Sequence, residues 1–198
     1  MCIRDWCIPR LLSTSYDRRD IPVEQKTGAT MGMFMTEKQG GSDVRTNTTR
    51  AVSDGDGYRL TGHKYFCSAP MCDAFLTLAY SDGGLSCFLV PRWLPNGDRN
   101  CLNIQQLKDK LGNRSNASSE MEFFDTWGIM VGEEGRGIRT IIDMVQGNRY
   151  YCCFSSAALM RQGLVQALHH TAHRTAFQKK LIDQTKMKYE MADIANEV

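Results

Sequence analysis

The sequence predicts an α+β fold, an antiparallel β-barrel followed by a partial α-helical bundle. Three observations carry this prediction. From about Thr30 to Val131, short apolar or alternating runs are separated by Gly, Asp and Asn turn residues. Near Gly135 the apolar period changes, and Ile138, Ile141, Ile142 and Val145 recur at helical spacing. No proline interrupts the chain from Arg136 to Val198, so nothing there forces a helix to stop.

Three segments follow in order. Residues 1–29 form an irregular leading segment, with Pro9, Pro22 and the charged cluster Asp17-Arg18-Arg19-Asp20 breaking any periodicity. Residues 30–134 form the β-domain. Its polar, Thr-rich stretch from Arg45 to Val52 reads as a half-exposed strand. Asp54-Gly55-Asp56-Gly57 reads as a turn, with Tyr58 to Phe66 as the partner strand. Ala74 to Tyr80 and Ser86 to Val90 are buried-strand candidates around Asp82-Gly83-Gly84, and Ser119 to Phe124 alternates as a further strand. Residues 135–198 form the helical part: one long helix to about Ala172 and a second from about Ile182. Helices this apolar require partners to cover them.

Composition narrows the functional classes. Hydrophobic content of 42% and charged content of 23% over 198 residues are ordinary globular values. A net charge of +2 gives no strong attraction to nucleic acid or an acidic membrane. No run of about 18 apolar residues suggests a membrane span, and no signal peptide is evident. The eight cysteines contain no Cys-x-x-Cys pair and read as reduced thiols of an intracellular protein, cytoplasmic or mitochondrial. His169, His170 and His173 cluster on a helix, but no carboxylate spacing completes a metal site, so no metal is expected.

The most informative stretch is Met33-Phe34-Met35-Thr36-Glu37-Lys38-Gln39-Gly40-Gly41-Ser42-Asp43. Adjacent glycines let a ligand approach bare amides, and Thr36 and Ser42 add hydroxyls that donate and accept. Such a loop suits a flat, polar-edged ring with a phosphate tail. On spacing alone it equally fits an ordinary hairpin turn.

This run resembles the signature of the acyl-CoA dehydrogenase family. The resemblance continues through Gly62 to Ser68, Lys110 to Ser115, Gly132 to Gly137, Arg149, and Arg174 to Phe177. Within the family, the stretches Met35 to Val44 and Lys108 to Ser118 are most similar to the alkylation-response, AidB-like branch. The resemblance covers the family's middle β-domain and the start of its C-terminal helical domain.

It implies an FAD-binding oxidoreductase that desaturates acyl-CoA thioesters at the α and β carbons, passing electrons to flavin. Met33, Met35, Thr36, Gly41 and Ser42 would contact the flavin edge and diphosphate. Phe66, Cys67 and Ser68 would form a second wall, where the family carries Trp-Ile-Thr. Arg174 and Phe177 would reach the FAD of a neighbouring subunit, implying a homo-oligomer or pairing with a full-length subunit. Ser42 and Arg149 would meet the acyl-CoA. Taken singly, Arg149 also fits a surface salt bridge and Phe66 a barrel core.

The family's glycine after Phe177 is Gln178 here. No catalytic residue is assigned. One family position for the base, beside Arg149, holds Asn148, which lacks a carboxylate. The commoner position lies further downstream than Val198, so this chain is expected to be incomplete as an enzyme. The alternative is a non-catalytic AidB-like protein associated with FAD and DNA, or an interaction fragment. Nucleic-acid binding is not expected of these residues.

Overall fold

A computed structural model describes residues 7–198. The chain divides into two compact units, Met1–Ile142 and Asp143–Val198.

The first unit is a closed barrel. Strands β1 (Met31–Thr36), β3 (Gly57–Ser68), β7 (Ser118–Val131), β5 (Gly84–Pro91) and β4 (Ala74–Ser81) pair in a ring, which closes where β1 runs parallel to β4. The other ring contacts are antiparallel. Strand β2 (Arg50–Asp54) pairs with β3, and β6 (Leu102–Leu107) lies along β7. Closure removes most of the exposed sheet edge that an open sheet would present.

Aromatic side chains fill the barrel. Phe34 stacks on Phe75 with centroids 4.2 Å apart, and Tyr58 meets Phe88 edge-on at 5.1 Å. Leu60, Cys67, Val90, Met121 and Phe123 complete this buried cluster. Burying aliphatic and aromatic side chains of this size contributes about 1.5–3 kcal/mol each before the entropy of ordering them is subtracted.

Several expectations about individual elements need correction. The leading segment contains a short helix, α1 (Ile8–Leu11), and a 3-10 turn at Val23–Gln25. The strand expected over Arg45 to Val52 begins only at Arg50, after a 3-10 turn at Val44–Thr46. The physical reason is Glu37: its carboxylate accepts the backbone N–H and hydroxyl of both Thr48 and Thr49, diverting them from a ladder. Strand β6 was not expected, because five of its six side chains break a simple alternation by lying exposed in succession. The last strand runs well past Phe124, through a kink where Asp125 takes a φ of 52°.

In the second unit, helix α2 (Gly137–His173) ends in an unexpected two-residue hairpin, β8 (Thr175–Ala176) and β9 (Lys179–Lys180). A 3-10 turn at Leu181–Asp183 then leads to α3 (Thr185–Glu197), slightly later than the sequence suggested. The apolar side chains Tyr150, Tyr151, Phe154 and Leu159 on α2 are exposed. Among the described residues, no helix is long and apolar enough to cross a membrane.

Candidate functional site

The site grows from irregularities in the barrel wall. On β1, Phe34 pairs with Cys67 and Thr36 with Phe66, so Met35 is an extra residue. On β3, Lys64 pairs with Met121 and Cys67 with Ser119, so Tyr65 and Phe66 together face Glu120 of β7. On β6, Ile104 pairs with Met121 and Gln106 with Glu120, leaving Gln105 extra. These are β-bulges, which re-aim side chains and commonly border functional sites.

The bulge in β3 has a direct consequence. A regular strand alternates faces, so residues three apart point opposite ways. Here Lys64 and Cys67 are both fully buried, while Tyr65 and Phe66 are both turned outward. Phe66 is 40% exposed, directly across from Thr36. The barrel therefore brings together Thr36, Phe66 and half-buried Ser68, with Met33 and Met35 half-buried along β1. The Thr36, Ser42 and Ser68 hydroxyls make no hydrogen bond with the described residues. Gly41 and Ser42 are exposed in the loop that leaves β1. A Cβ added at Gly41 would lie 2.7 Å from Thr36 Oγ1, so the missing side chain lets this loop fold onto the strand end.

Cys67 turns into the barrel core, leaving only its backbone at the wall. Its thiol donates a weak hydrogen bond to Lys64 O at 3.7 Å, and burial pushes it up to about 12.

Beneath the loop sits a buried ion pair that sequence reasoning did not find. Lys64 Nζ donates to Glu37 Oε1 at 2.8 Å and to Leu78 O at 2.7 Å, and both side chains are almost wholly buried. Burial alone would raise the Glu37 carboxyl. The Lys64 ammonium, with the Thr48 and Thr49 donors, outweighs burial and holds it at about 2. Burial pulls the Lys64 ammonium down, and Glu37 opposes that pull. Glu37 is thus structural: it anchors the segment after the glycine loop to the strands below. A second pair, Lys26 Nζ to Asp73 Oδ1 at 2.6 Å, ties the leading segment to β4, and Asp73 also accepts the Thr30 N–H.

Glu120, opposite two bulges, is the other residue the sequence left unmarked. Its carboxylate accepts from Lys108 Nζ at 2.8 Å and Gln106 Nε2 at 2.7 Å. Those hydrogen bonds hold its carboxyl below the usual range. Lys108 Nζ also lies 3.1 Å from the centre of the Tyr65 ring and 5.8 Å from that of Phe66. The Glu-x-x bulge pairing is not visible in a period-two pattern; only the outward Tyr65-Phe66 doublet hints at it.

The second unit carries the remaining sequence-predicted residues. Arg149 is exposed on α2, next to Asn148. Arg174 and Phe177 are exposed around the β8–β9 hairpin, whose tip residues Phe177 and Gln178 take φ of 53° and 65°. The His169 and His173 rings lie 4.4 Å apart. Among the described residues, no group of three His, Cys, Asp or Glu side chains is placed to hold a metal ion.

Comparison with known proteins agrees with this architecture. The family model for the acyl-CoA dehydrogenase middle domain matches residues 32–126, and that for the acyl-CoA dehydrogenase C-terminal domain matches residues 135–198. The AidB protein of Escherichia coli (strain K12) is 51% identical over 193 residues, covering 97% of this chain and 36% of that protein. Acyl-CoA dehydrogenase family member 11 of Caenorhabditis elegans is 34% identical over 174 residues, 82% of this chain and 27% of its own length. The crystal structure of Caenorhabditis elegans ACDH-11 in complex with C11-CoA superposes with a TM-score of 0.81 at 31% identity, over 86% of this chain and 31% of that one. The structure titled Bd2924 apo-form gives 0.86 at 30% identity, over 98% and 39%. The chain thus spans roughly a third of the length of these relatives. By both domain matches, it belongs to the acyl-CoA dehydrogenase family, whose members are flavoproteins.

Proposed function

We propose that this chain supplies the flavin-facing part of an FAD-dependent oxidoreductase acting on acyl-CoA thioesters. The observation that carries the reading is the outward Phe66 ring opposite Thr36, set there by the bulges in β1 and β3.

The residues present fit a flavin. Phe66 offers an exposed aromatic face for stacking. The free hydroxyls of Thr36 and Ser68 suit the hydrogen-bonding edge of a flat heterocycle. The close approach of the loop at Gly41 leaves backbone and the Ser42 hydroxyl to meet a polar tail. Met33 and Met35 supply adaptable apolar contact along β1. When bound, FAD would supply an acceptor for the hydride from the substrate β-carbon.

The protein's own contribution is orientation and exclusion of water. Thr36 and Ser68 hold the ring edge, Phe66 covers a face, and Ser42 lies where the ring and substrate arm meet. Cys67 contributes packing behind the wall. Arg174 and Phe177 serve a neighbour's FAD: the guanidinium fork suits a diphosphate, which requires a second copy or a longer subunit. Arg149 faces the acyl-CoA. Asn148 beside it has no basic carboxylate, so α-proton removal is not assigned to that position. The net charge of +2 offers no reason to prefer nucleic-acid binding.

The test is the visible spectrum of the purified chain after incubation with FAD and desalting. Retained flavin absorption, reduced in Phe66→Ala and in Arg174→Gln, is the expected result. A folded but colourless protein, or retention indifferent to both substitutions, overturns the assignment.

A further inference from the structure

The outer face of the bulged wall carries a polar relay that the flavin assignment leaves unused. His63 on β3 lies directly across from Glu122 of β7. Glu120, the next residue on that face of β7, stands opposite the Tyr65-Phe66 doublet.

The His63 ring is wedged between the two carboxylates. Its Nδ1 is 2.6 Å from Glu122 Oε2, and its Nε2 is 3.4 Å from Glu120 Oε2. A carboxylate oxygen only accepts, so Nδ1 carries the proton in the hydrogen bond to Glu122. Nε2 is buried and has no hydrogen-bond partner among the described residues. In the neutral imidazole that nitrogen is a lone pair facing another acceptor. A buried polar atom left this way is unfavourable, and a second ring proton turns it into a donor aimed at Glu120. The surroundings of His63 are therefore complete only for the imidazolium.

The relay runs on to the aromatic wall. Lys108 and Gln106 both donate to Oε1 of Glu120, at 2.8 and 2.7 Å, which leaves Oε2 for His63. Lys108 Nζ lies over the Tyr65 ring and within 5.8 Å of the Phe66 ring centre. The charged groups around His63 are thus Glu120 and Glu122 from β7 and, beyond Glu120, Lys108 from the segment after β6. Its neighbour on β3, Lys64, turns inward to Glu37. Histidine is the side chain that ordinarily changes charge between about pH 5 and 8. The chain's three other histidines, His169, His170 and His173, all lie on α2 in the second unit.

We propose that His63 is a protonation-controlled clasp on the flavin-facing wall. As imidazolium it bridges Glu122 and Glu120 and fixes the bulge that turns Phe66 outward. As imidazole it releases Glu120, and the bulge loosens. The grip of this wall on a flat ring ligand weakens as pH rises through the imidazole range. That last consequence rests on the reading of Phe66 as a wall against flavin; the clasp itself does not.

Amide hydrogen exchange of the flavin-free chain at about pH 6 and about pH 8, corrected for intrinsic exchange rates, tests the clasp. Protection in peptides covering residues 62–68 and 118–122 is expected to fall roughly tenfold at the higher pH, with residues 74–91 as an unchanging reference. His63→Gln keeps a polar side chain without a titrating ring and is expected to abolish the difference. Glu122→Gln leaves the histidine in place and removes one carboxylate; a smaller pH response there supports the clasp without depending on the folding of His63→Gln. Exchange that is indifferent to pH, or equally pH-dependent in folded His63→Gln, overturns the proposal. FAD retention measured at the same two pH values is expected to fall at the higher one in wild type and to stay level in His63→Gln. Retention that is level in wild type overturns the link to the ligand. A chain that retains no FAD at either pH, while its exchange follows His63, supports the clasp and overturns the flavin reading instead.

Discussion

Replacing Lys64 with Met removes the ammonium that faces Glu37 and Leu78 O while keeping a long apolar stem. The wild-type pair is buried, with Lys64 at 0% and Glu37 at 3% side-chain exposure. The variant leaves a carboxylate out of water with only the Thr48 and Thr49 donors, and leaves Leu78 O without its donor. Breaking a buried pair from one side typically costs about 3–5 kcal/mol. For a unit of this size that corresponds to a fall in unfolding midpoint of roughly 10 °C. Urea unfolding followed by near-ultraviolet circular dichroism measures the loss.

The pH dependence gives a second, independent check. The Glu37 carboxyl is depressed from 4.5 to about 2 in the folded protein. Its stabilisation is therefore present above the unfolded value near 4.5 and is lost as pH falls from there through about 2. Without Lys64 the folded carboxyl is no longer held down, so the variant does not lose this contribution in that window. The stability gap between wild type and Lys64→Met should narrow as pH falls below 4.5. Adding Glu37→Gln should restore a large part of the loss, because no buried charge remains. A loss under about 1 kcal/mol at neutral pH, or a gap that stays constant down to acid pH, would refute the reasoning.

Other consequences are accessible to simple measurements. Gln178→Gly should raise stability by about 0.5–1 kcal/mol in chemical unfolding, because Gln178 holds a φ of 65° that glycine adopts without a Cβ clash; a lower midpoint contradicts the strain assigned to this hairpin tip. Iodoacetamide labelling of native protein at mildly alkaline pH should modify exposed Cys101, Cys152 and Cys153 and spare buried Cys67 and Cys87. Burial pushes Cys67 to about 12 and Cys87 to about 11, and rapid native labelling of either would show that the barrel core is open. Gly41→Val should reduce flavin retention while changing unfolding free energy by no more than about 0.5 kcal/mol, since the new side chain must push the exposed loop away from Thr36 Oγ1; unchanged retention would separate this loop from flavin binding.

Much of the β-domain was legible because its turns carry strong local chemistry. Asp54-Gly55-Asp56-Gly57 and Asp82-Gly83-Gly84 mark hairpins that the strand pairings reproduce. The helical period after Gly135 likewise marks α2. What escaped depends on partners distant in sequence. Thr48 and Thr49 look like strand residues until Glu37 takes their donors. Nothing local distinguishes Lys64 or Lys26 from surface lysines; their carboxylates arrive from other segments.

The candidate site is assigned from family resemblance more than from pattern. Period-two alternation places residues 65 and 66 on opposite faces, and the bulge against Glu120 turns both outward. The same bulge sends Cys67 into the core, which no local signal around Phe66-Cys67-Ser68 could reveal. The β8–β9 hairpin was missed for a related reason: Phe177-Gln178 is poor turn chemistry for two consecutive positive φ angles.

The most direct test of the central claim is backbone hydrogen–deuterium exchange with and without FAD. Flavin seated on the bulged β1–β3 wall should slow exchange in peptides covering residues 31–42 and 65–68, with little change around β6. Flavin binding with protection confined elsewhere, or no change in either stretch, would contradict the account.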